Sequence, residues 1–153
     1  MPLSSSGREI GMSQHHEGGC LCGAVRYRVS GYPMRVTVCH CTWCQRRTGS
    51  AFSVEALFDL AQVNISGTPS RYRSVSDESA RWLDLEFCQN CGTNIGFTFE
   101  RLPGRRMVDC GTLDDPRWIS PEQFEFRYVY LRSAQCWSQI PKDSQAFETF
   151  FPT

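Results

Sequence analysis

Seven of the nine cysteines in this 153-residue chain stand in three short runs: Cys20-Leu21-Cys22, Cys39-His40-Cys41-Thr42-Trp43-Cys44 and Cys88-Gln89-Asn90-Cys91. Thiolates one or two residues apart can hold a metal ion from a single turn, and zinc with sulfur ligands at about 2.3 Å is the usual occupant. Four thiolates close a tetrahedral structural site, whereas three leave a position for another molecule. Glycine follows the last cysteine of two runs, at Gly23 and Gly92. A glycine there permits a positive φ and lets backbone N–H groups turn toward the sulfurs. Cys20 and Cys22 therefore pair with Cys88 and Cys91 as a closed structural site that clamps distant parts of the chain. Cys44 is followed by Gln45, so Cys39, Cys41 and Cys44 form a chemically different site. Two zinc ions per chain are expected, one structural and one catalytic or labile. If the chain is extended at residues 39–41, both sulfurs face one side and His40 the other. Cys110 and Cys136 stand alone, as small buried apolar residues usually do.

The elements that must position these groups read as short strands. Ala24–Val29 alternates apolar and basic residues, and Met34–Val38 leads into the central cysteines. Ser50–Phe58, Val63–Ser66, Arg71–Val75, Arg81–Phe87, Ile95–Phe99, Arg105–Asp109 and Phe124–Leu131 follow, divided by turn material such as Ser66-Gly67-Thr68-Pro69 and Leu102-Pro103-Gly104. Only Thr42–Thr48 and Phe58–Gln62 read as helical turns. The pattern predicts a mainly β, largely antiparallel fold with few short helical turns.

At this length a single domain with a real core is expected. Residues 1–16 read as a polar, flexible N-terminal tail, with His15 and His16 solvated, and 17–153 as one zinc-binding domain. No apolar run is long enough for a membrane span, and no export signal is evident. With so many thiols this points to a reducing, cytoplasmic setting. Lys+Arg and Asp+Glu balance at 16 each, and Lys142 is the sole lysine. Seven thiolates on two dications would make the sum negative, so nucleic acid is not an expected partner.

Gly18–Tyr27, Cys39–Ser50 and Phe87–Thr93 occur in that order, with Gly111-Thr112-Leu113-Asp114-Asp115-Pro116 downstream. Together they resemble the glutathione-dependent formaldehyde-activating enzyme family, which also includes centromere protein V. The resemblance implies an antiparallel β-tent-type fold around a structural zinc at Cys20, Cys22, Cys88 and Cys91. It also implies a catalytic zinc at Cys39, Cys41 and Cys44. The implied activity is a carbon–sulfur lyase, S-hydroxymethylglutathione synthase-like, with glutathione or a related thiol and an aldehyde such as formaldehyde as partners. Family members commonly carry a histidine after the Asp-Asp-Pro turn, where this chain has Phe124.

Glutathione has two carboxylates, and Arg46 and Arg47, just past the third ligand, could meet them with guanidinium forks. His40, Thr48, Ser50 and Asn94 are further substrate-binding candidates, and Trp43 could wall the site. The alternatives are a non-catalytic zinc-binding module for protein interaction and a thiol-based redox or zinc switch. A fourth protein ligand at the second site, from Cys110 or His40, would favour the module.

Overall fold

The computed structural model describes residues 14–152. The described residues form a mainly β protein. Its strands are β1 (His15–Gly19), β2 (Arg26–Ser30), β3 (Arg35–Cys39), β4 (Ser53–Asp59), β5 (Val63–Ser66), β6 (Ser70–Val75), β7 (Trp82–Phe87), β8 (Asn94–Phe99), β9 (Arg105–Asp109), β10 (Phe126–Val129) and β11 (Gln145–Ala146). One helix, α1 (Thr42–Thr48), and short 3-10 turns complete it. No helix among the described residues is long and apolar enough to cross a membrane.

Strands β1, β2 and β5 form a small antiparallel sheet, and the others form one large sheet in the order β11-β10-β3-β4-β9-β8-β7-β6. Its ladders are antiparallel except at β10, which runs parallel to β3 and to β11. A parallel neighbour needs a long crossover. Here most of the chain lies between β3 and β10, so local pattern carries no sign of this pairing.

Because side chains alternate across a strand, the large sheet has two faces with different tasks. Val36, Ala56, Phe58, Ile95 and Val108 pack against Val25, Tyr27 and Val29 of the small sheet. A side chain such as Phe58, fully buried there, contributes about 1.5–3 kcal/mol. On the opposite face Leu57, Phe97 and Met107 gather with Leu83, Leu85, Phe99 and Trp43.

Residues 1–13 of the expected tail lie outside the described residues. At 15 and 16 the chain is already strand, paired with β2, and the His16 ring stacks on Trp118 at 3.8 Å rather than standing in solvent. The run His-His-Glu-Gly-Gly lacks apolar alternation. It becomes strand because β2 supplies the ladder and Gly18 clears Tyr27, whose hydroxyl oxygen would stand 2.3 Å from a Cβ placed there.

α1 is fixed to the large sheet by one buried arginine. Glu55 and Asp109 stand directly opposite each other on β4 and β9, an arrangement that like charges make unfavourable. Arg47 reaches between them, Nη2 to Glu55 Oε1 at 2.5 Å and Nη1 to Asp109 Oδ2 at 2.6 Å, with its side chain 2% exposed. Its guanidinium also lies 5.5 Å from the Trp43 ring centre and 5.3 Å from that of Phe97.

Breaking a buried ion group strands the remaining charges, so Arg47→Ala should lose about 3–5 kcal/mol of stability in urea unfolding. The neighbouring Arg46, exposed on the same helix, should tolerate alanine within about 0.5 kcal/mol. Gly96 has φ 153°, and a Cβ there would lie 2.0 Å from the Met107 carbonyl oxygen. Gly96→Ala should therefore lower the urea midpoint by an equivalent of at least about 2 kcal/mol.

Candidate metal centres and the cleft between them and solvent

The first sulfur group joins two hairpin ends. Cys20 N–H bonds the Val25 carbonyl at 2.9 Å, and Cys88 N–H bonds that of Thr93 at 2.9 Å, so each cysteine run is a tight turn closed by its own ladder. Gly23 and Gly92 take φ 79° and 75°, the left-handed conformation that a side chain would oppose. Their N–H groups return to the Cys20 and Cys88 carbonyls at 3.2 and 2.8 Å.

The Sγ atoms of Cys20, Cys22, Cys88 and Cys91 all lie within 4.8 Å of one another. Cys20 and Cys22 are 3.6 Å apart, and Cys22 and Cys88 3.7 Å. Four sulfurs set tetrahedrally at about 2.3 Å from a zinc ion are about 3.8 Å apart, so the group fits zinc. It does not fit a disulfide, whose sulfurs approach to about 2.05 Å, and all nine cysteines are free. Val25 N–H donates to Cys20 Sγ at 3.2 Å and lowers its pKa. The Thr93 hydroxyl, 3.2 Å from Cys91 Sγ, is the main cause that draws Cys91 down to about 5.

The second group is built at a strand-to-helix junction. Cys39 ends β3, Cys41 is the N-cap of α1 and accepts the Cys44 N–H at 3.3 Å, and Cys44 sits in the first turn. Their three Sγ atoms also lie within 4.8 Å of one another. The Cys44 S–H points to Glu55 Oε1 at 3.8 Å. Cys41 is drawn down to about 3, chiefly by S–H bonds from Cys39 and Cys44. Pairing with Cys41, and then burial, pushes Cys39 well up; pairing with Cys39 and Cys41, and then burial, does the same to Cys44. Three thiolates this close repel one another, and a thiophilic metal ion would neutralise them. Burial pushes Glu55 up to about 7 against the pull of Arg47.

Among the described residues no fourth cysteine, histidine or carboxylate joins Cys39, Cys41 and Cys44. His40 is 1% exposed and turned against Phe52, ring centres 5.1 Å apart, with neither ring nitrogen hydrogen-bonded. Burial lowers its pKa. Cys110 is buried in the main core, its Sγ 4.0 Å from the Val108 carbonyl. Cys136, expected to be buried, is exposed.

The three sulfurs border a cleft of about 160 Å³. Thr37 and Glu55 lie beside them, Trp43, Phe97 and Met107 wall the cleft, and Arg81 and Arg101 stand on its lining at hairpin turns. Trp43 meets Phe97 edge-on at 5.7 Å.

Most residues near the third cysteine in sequence turn elsewhere, because successive helical side chains rotate about a third of a turn. Arg47 does not extend a fork to a ligand, since Glu55 and Asp109 already occupy it. Arg46 is exposed and does not border the cleft. Thr48 Oγ1 donates to the Cys44 carbonyl at 2.8 Å, and Ser50 N–H donates to Thr48 Oγ1 at 3.2 Å. Asn94 Nδ2 donates to the Arg47 carbonyl at 2.9 Å and so pins the helix end. His40, Thr48, Ser50 and Asn94 are likewise absent from the cleft lining. Phe124 packs edge-on against Trp118 at 5.4 Å, also off the cleft.

Of the residues the sequence did not single out, Glu55 comes from inside β4, whereas Arg81, Arg101 and Tyr130 come from turns and a strand end outside the cysteine runs. One signal was available. A glutamate inside the run Ser53-Val54-Glu55-Ala56-Leu57-Phe58 marks a carboxylate that must be buried and paired.

The model of a family described as glutathione-dependent formaldehyde-activating enzyme matches residues 15–130. A Halomonas elongata protein named, provisionally, as a glutathione-dependent formaldehyde-activating enzyme is 30% identical over 133 residues, covering 84% of this chain and 83% of its own. An uncharacterized lyase of Schizosaccharomyces pombe is 27% identical over 84 residues, 55% of this chain; the chain spans only 58% of that relative's length. A Rhodobacter sphaeroides protein of known crystal structure shares the fold with a TM-score of 0.54 at 20% identity, covering 74% of this chain and 99% of its own. With the family model matching most of its length, the chain belongs to the glutathione-dependent formaldehyde-activating enzyme family.

Proposed function

We propose that the chain is a zinc-dependent carbon–sulfur lyase acting on glutathione or a related thiol–aldehyde adduct. Cys20, Cys22, Cys88 and Cys91 would hold a structural zinc, and Cys39, Cys41 and Cys44 a catalytic one. Family membership and the names of the two sequence relatives support the reaction class. The observation that carries it is the contrast between the two sulfur groups. One has four thiols on rigid turns, and the other has three, with no fourth cysteine, histidine or carboxylate among the described residues, bordering a cleft.

Bound there, zinc would lower the pKa of a substrate thiol and hold it as the thiolate. The chain's own residues do the rest. Arg47 fixes Glu55 beside Cys44 and sets α1 on the sheet. Trp43 and Phe97 give the cleft a low-dielectric wall that excludes water. The confined space brings thiol and aldehyde together, so the main gain is proximity.

Metal analysis should find about two zinc ions per chain. Cys41→Ala should keep its circular-dichroism spectrum and lose one ion, whereas Cys88→Ala should lose the fold. Unfolding of Cys41→Ala would make the second site structural and remove the basis for catalysis. NMR exchange spectroscopy should show faster interconversion of glutathione and formaldehyde with their adduct when the protein is added. An unchanged exchange rate would eliminate that substrate pair.

A further inference from the structure

The cleft's lining is at odds with a ligand that is charged along its whole length. Trp43, Trp82, Phe97, Phe99, Tyr130 and Phe150 present ring after ring. Trp43 has no N–H to offer, since its Nε1 already donates to Ser74 Oγ at 3.0 Å. Charged side chains are few among the lining residues. Glu55, beside Cys44, is held by Arg47. The β6–β7 turn contributes Asp77, Glu78 and Arg81, and the β8–β9 turn Arg101.

The arginines there are uncommitted. Glu78 is paired with Arg132, while Arg81 and Arg101 make no ion pair among the described residues. The two also share the lining of an adjoining depression with Ser79 and Leu102. Arg101 is held against the cleft wall, its guanidinium carbon 4.4 Å from the Phe150 ring centre. Asp77 and Glu100 stand on the same two turns, Glu100 accepting the Trp82 N–H at 3.1 Å, and among the described residues neither forms an ion pair with Arg81 or Arg101.

We propose that the preferred ligand of this cleft is an aromatic thiol acid: a thiol at one end, an apolar ring-bearing body, and one terminal carboxylate received by Arg81 and Arg101. The thiol end rests on the function proposed above, while the body and the acid rest on the cleft walls and the two arginines. Glutathione fits these walls poorly. Its two carboxylates, ammonium and amides would be stripped of water beside ring faces that offer few partners besides the Tyr130 hydroxyl and the Trp82 indole N–H. A ring-bearing body instead stacks on the walls, and a planar carboxylate suits two guanidinium forks.

Isothermal titration calorimetry of the full zinc-loaded chain tests this without recourse to turnover. The probes are 4-(mercaptomethyl)benzoate and its homologues with two or four methylenes before the carboxylate, compared with glutathione and with phenylmethanethiol. The tightest thiol acid should bind at least about tenfold more strongly than glutathione. The double variant Arg81→Gln/Arg101→Gln should weaken that acid by about tenfold or more, as loss of a charge-assisted contact does. It should leave phenylmethanethiol unchanged, which also reports that the cleft is intact. Glutathione binding as tightly as the best thiol acid, or a double variant that keeps full affinity for it, would overturn the proposal. The matching hydroxymethyl acids separate the two claims. If they bind as tightly as the thiols, thiol capture by the three cysteines fails and the preference for aromatic acids stands. If glutathione binds and no aromatic acid does, the preference fails and thiol capture stands.

Discussion

Two carboxylates face each other across adjacent strands, and one arginine makes that possible. Glu55 and Asp109 are register partners on β4 and β9, buried where neither could be charged alone without a large desolvation cost. Arg47 satisfies both through its fork, and it can do so only if α1 lies against the sheet at that point. Its backbone carbonyl accepts from Asn94, which ties the helix to β8 as well. The helix carries Cys44 and is capped by Cys41. The spacing of the three-sulfur group therefore depends on charge pairing two strands away from β3.

The two sulfur groups differ because their backbones differ. Each knuckle of the four-sulfur group is a hairpin end with a glycine in the left-handed conformation, so both cysteines of a pair project from one small, stiff turn. Two hairpins from the two sheets meet there, and closing a metal between them would join the sheets at the border of their shared apolar core. The three-sulfur group has no such turn. Its chain passes from strand into helix, which spends one direction on Cys39, one on Cys41 and one on Cys44, and turns His40 into the core behind. Among the described residues no fourth cysteine, histidine or carboxylate completes that group, and Glu55 meets it only through Cys44.

Division of labour between the faces of the large sheet follows from period-two alternation. One face is sealed by the small sheet and holds apolar packing residues together with the buried Arg106–Glu86 ion pair. The other carries Glu55, Leu57, Phe97 and Met107 toward α1, and because one short helix cannot cover so broad a face, a cleft remains. The aromatic residues from the chain's last segment, such as Phe150, narrow it. Chemistry at the sulfurs and selection along the walls are thus properties of a single incompletely covered face.

The cysteine runs, their glycines and the turn punctuation determined a great deal by themselves. Local spacing alone predicts α1 at its observed limits and places β5 and β9 residue for residue, because alternation and turn chemistry are short-range effects. The same holds for sorting the sulfurs into a four and a three, since ligand spacing within a turn is local geometry. Only the tertiary structure decided the rest. It made His15–Gly19 a strand by giving it a partner, set β10 parallel beside β3, and spent Arg47 on two carboxylates that no spacing rule connects to it. It also brought Arg81 and Arg101, from separate turns, to a cleft that opens from the cysteines. Long-range pairing of charges and strands is set by the energy of burying them together, and that energy exists only once the sheet has closed.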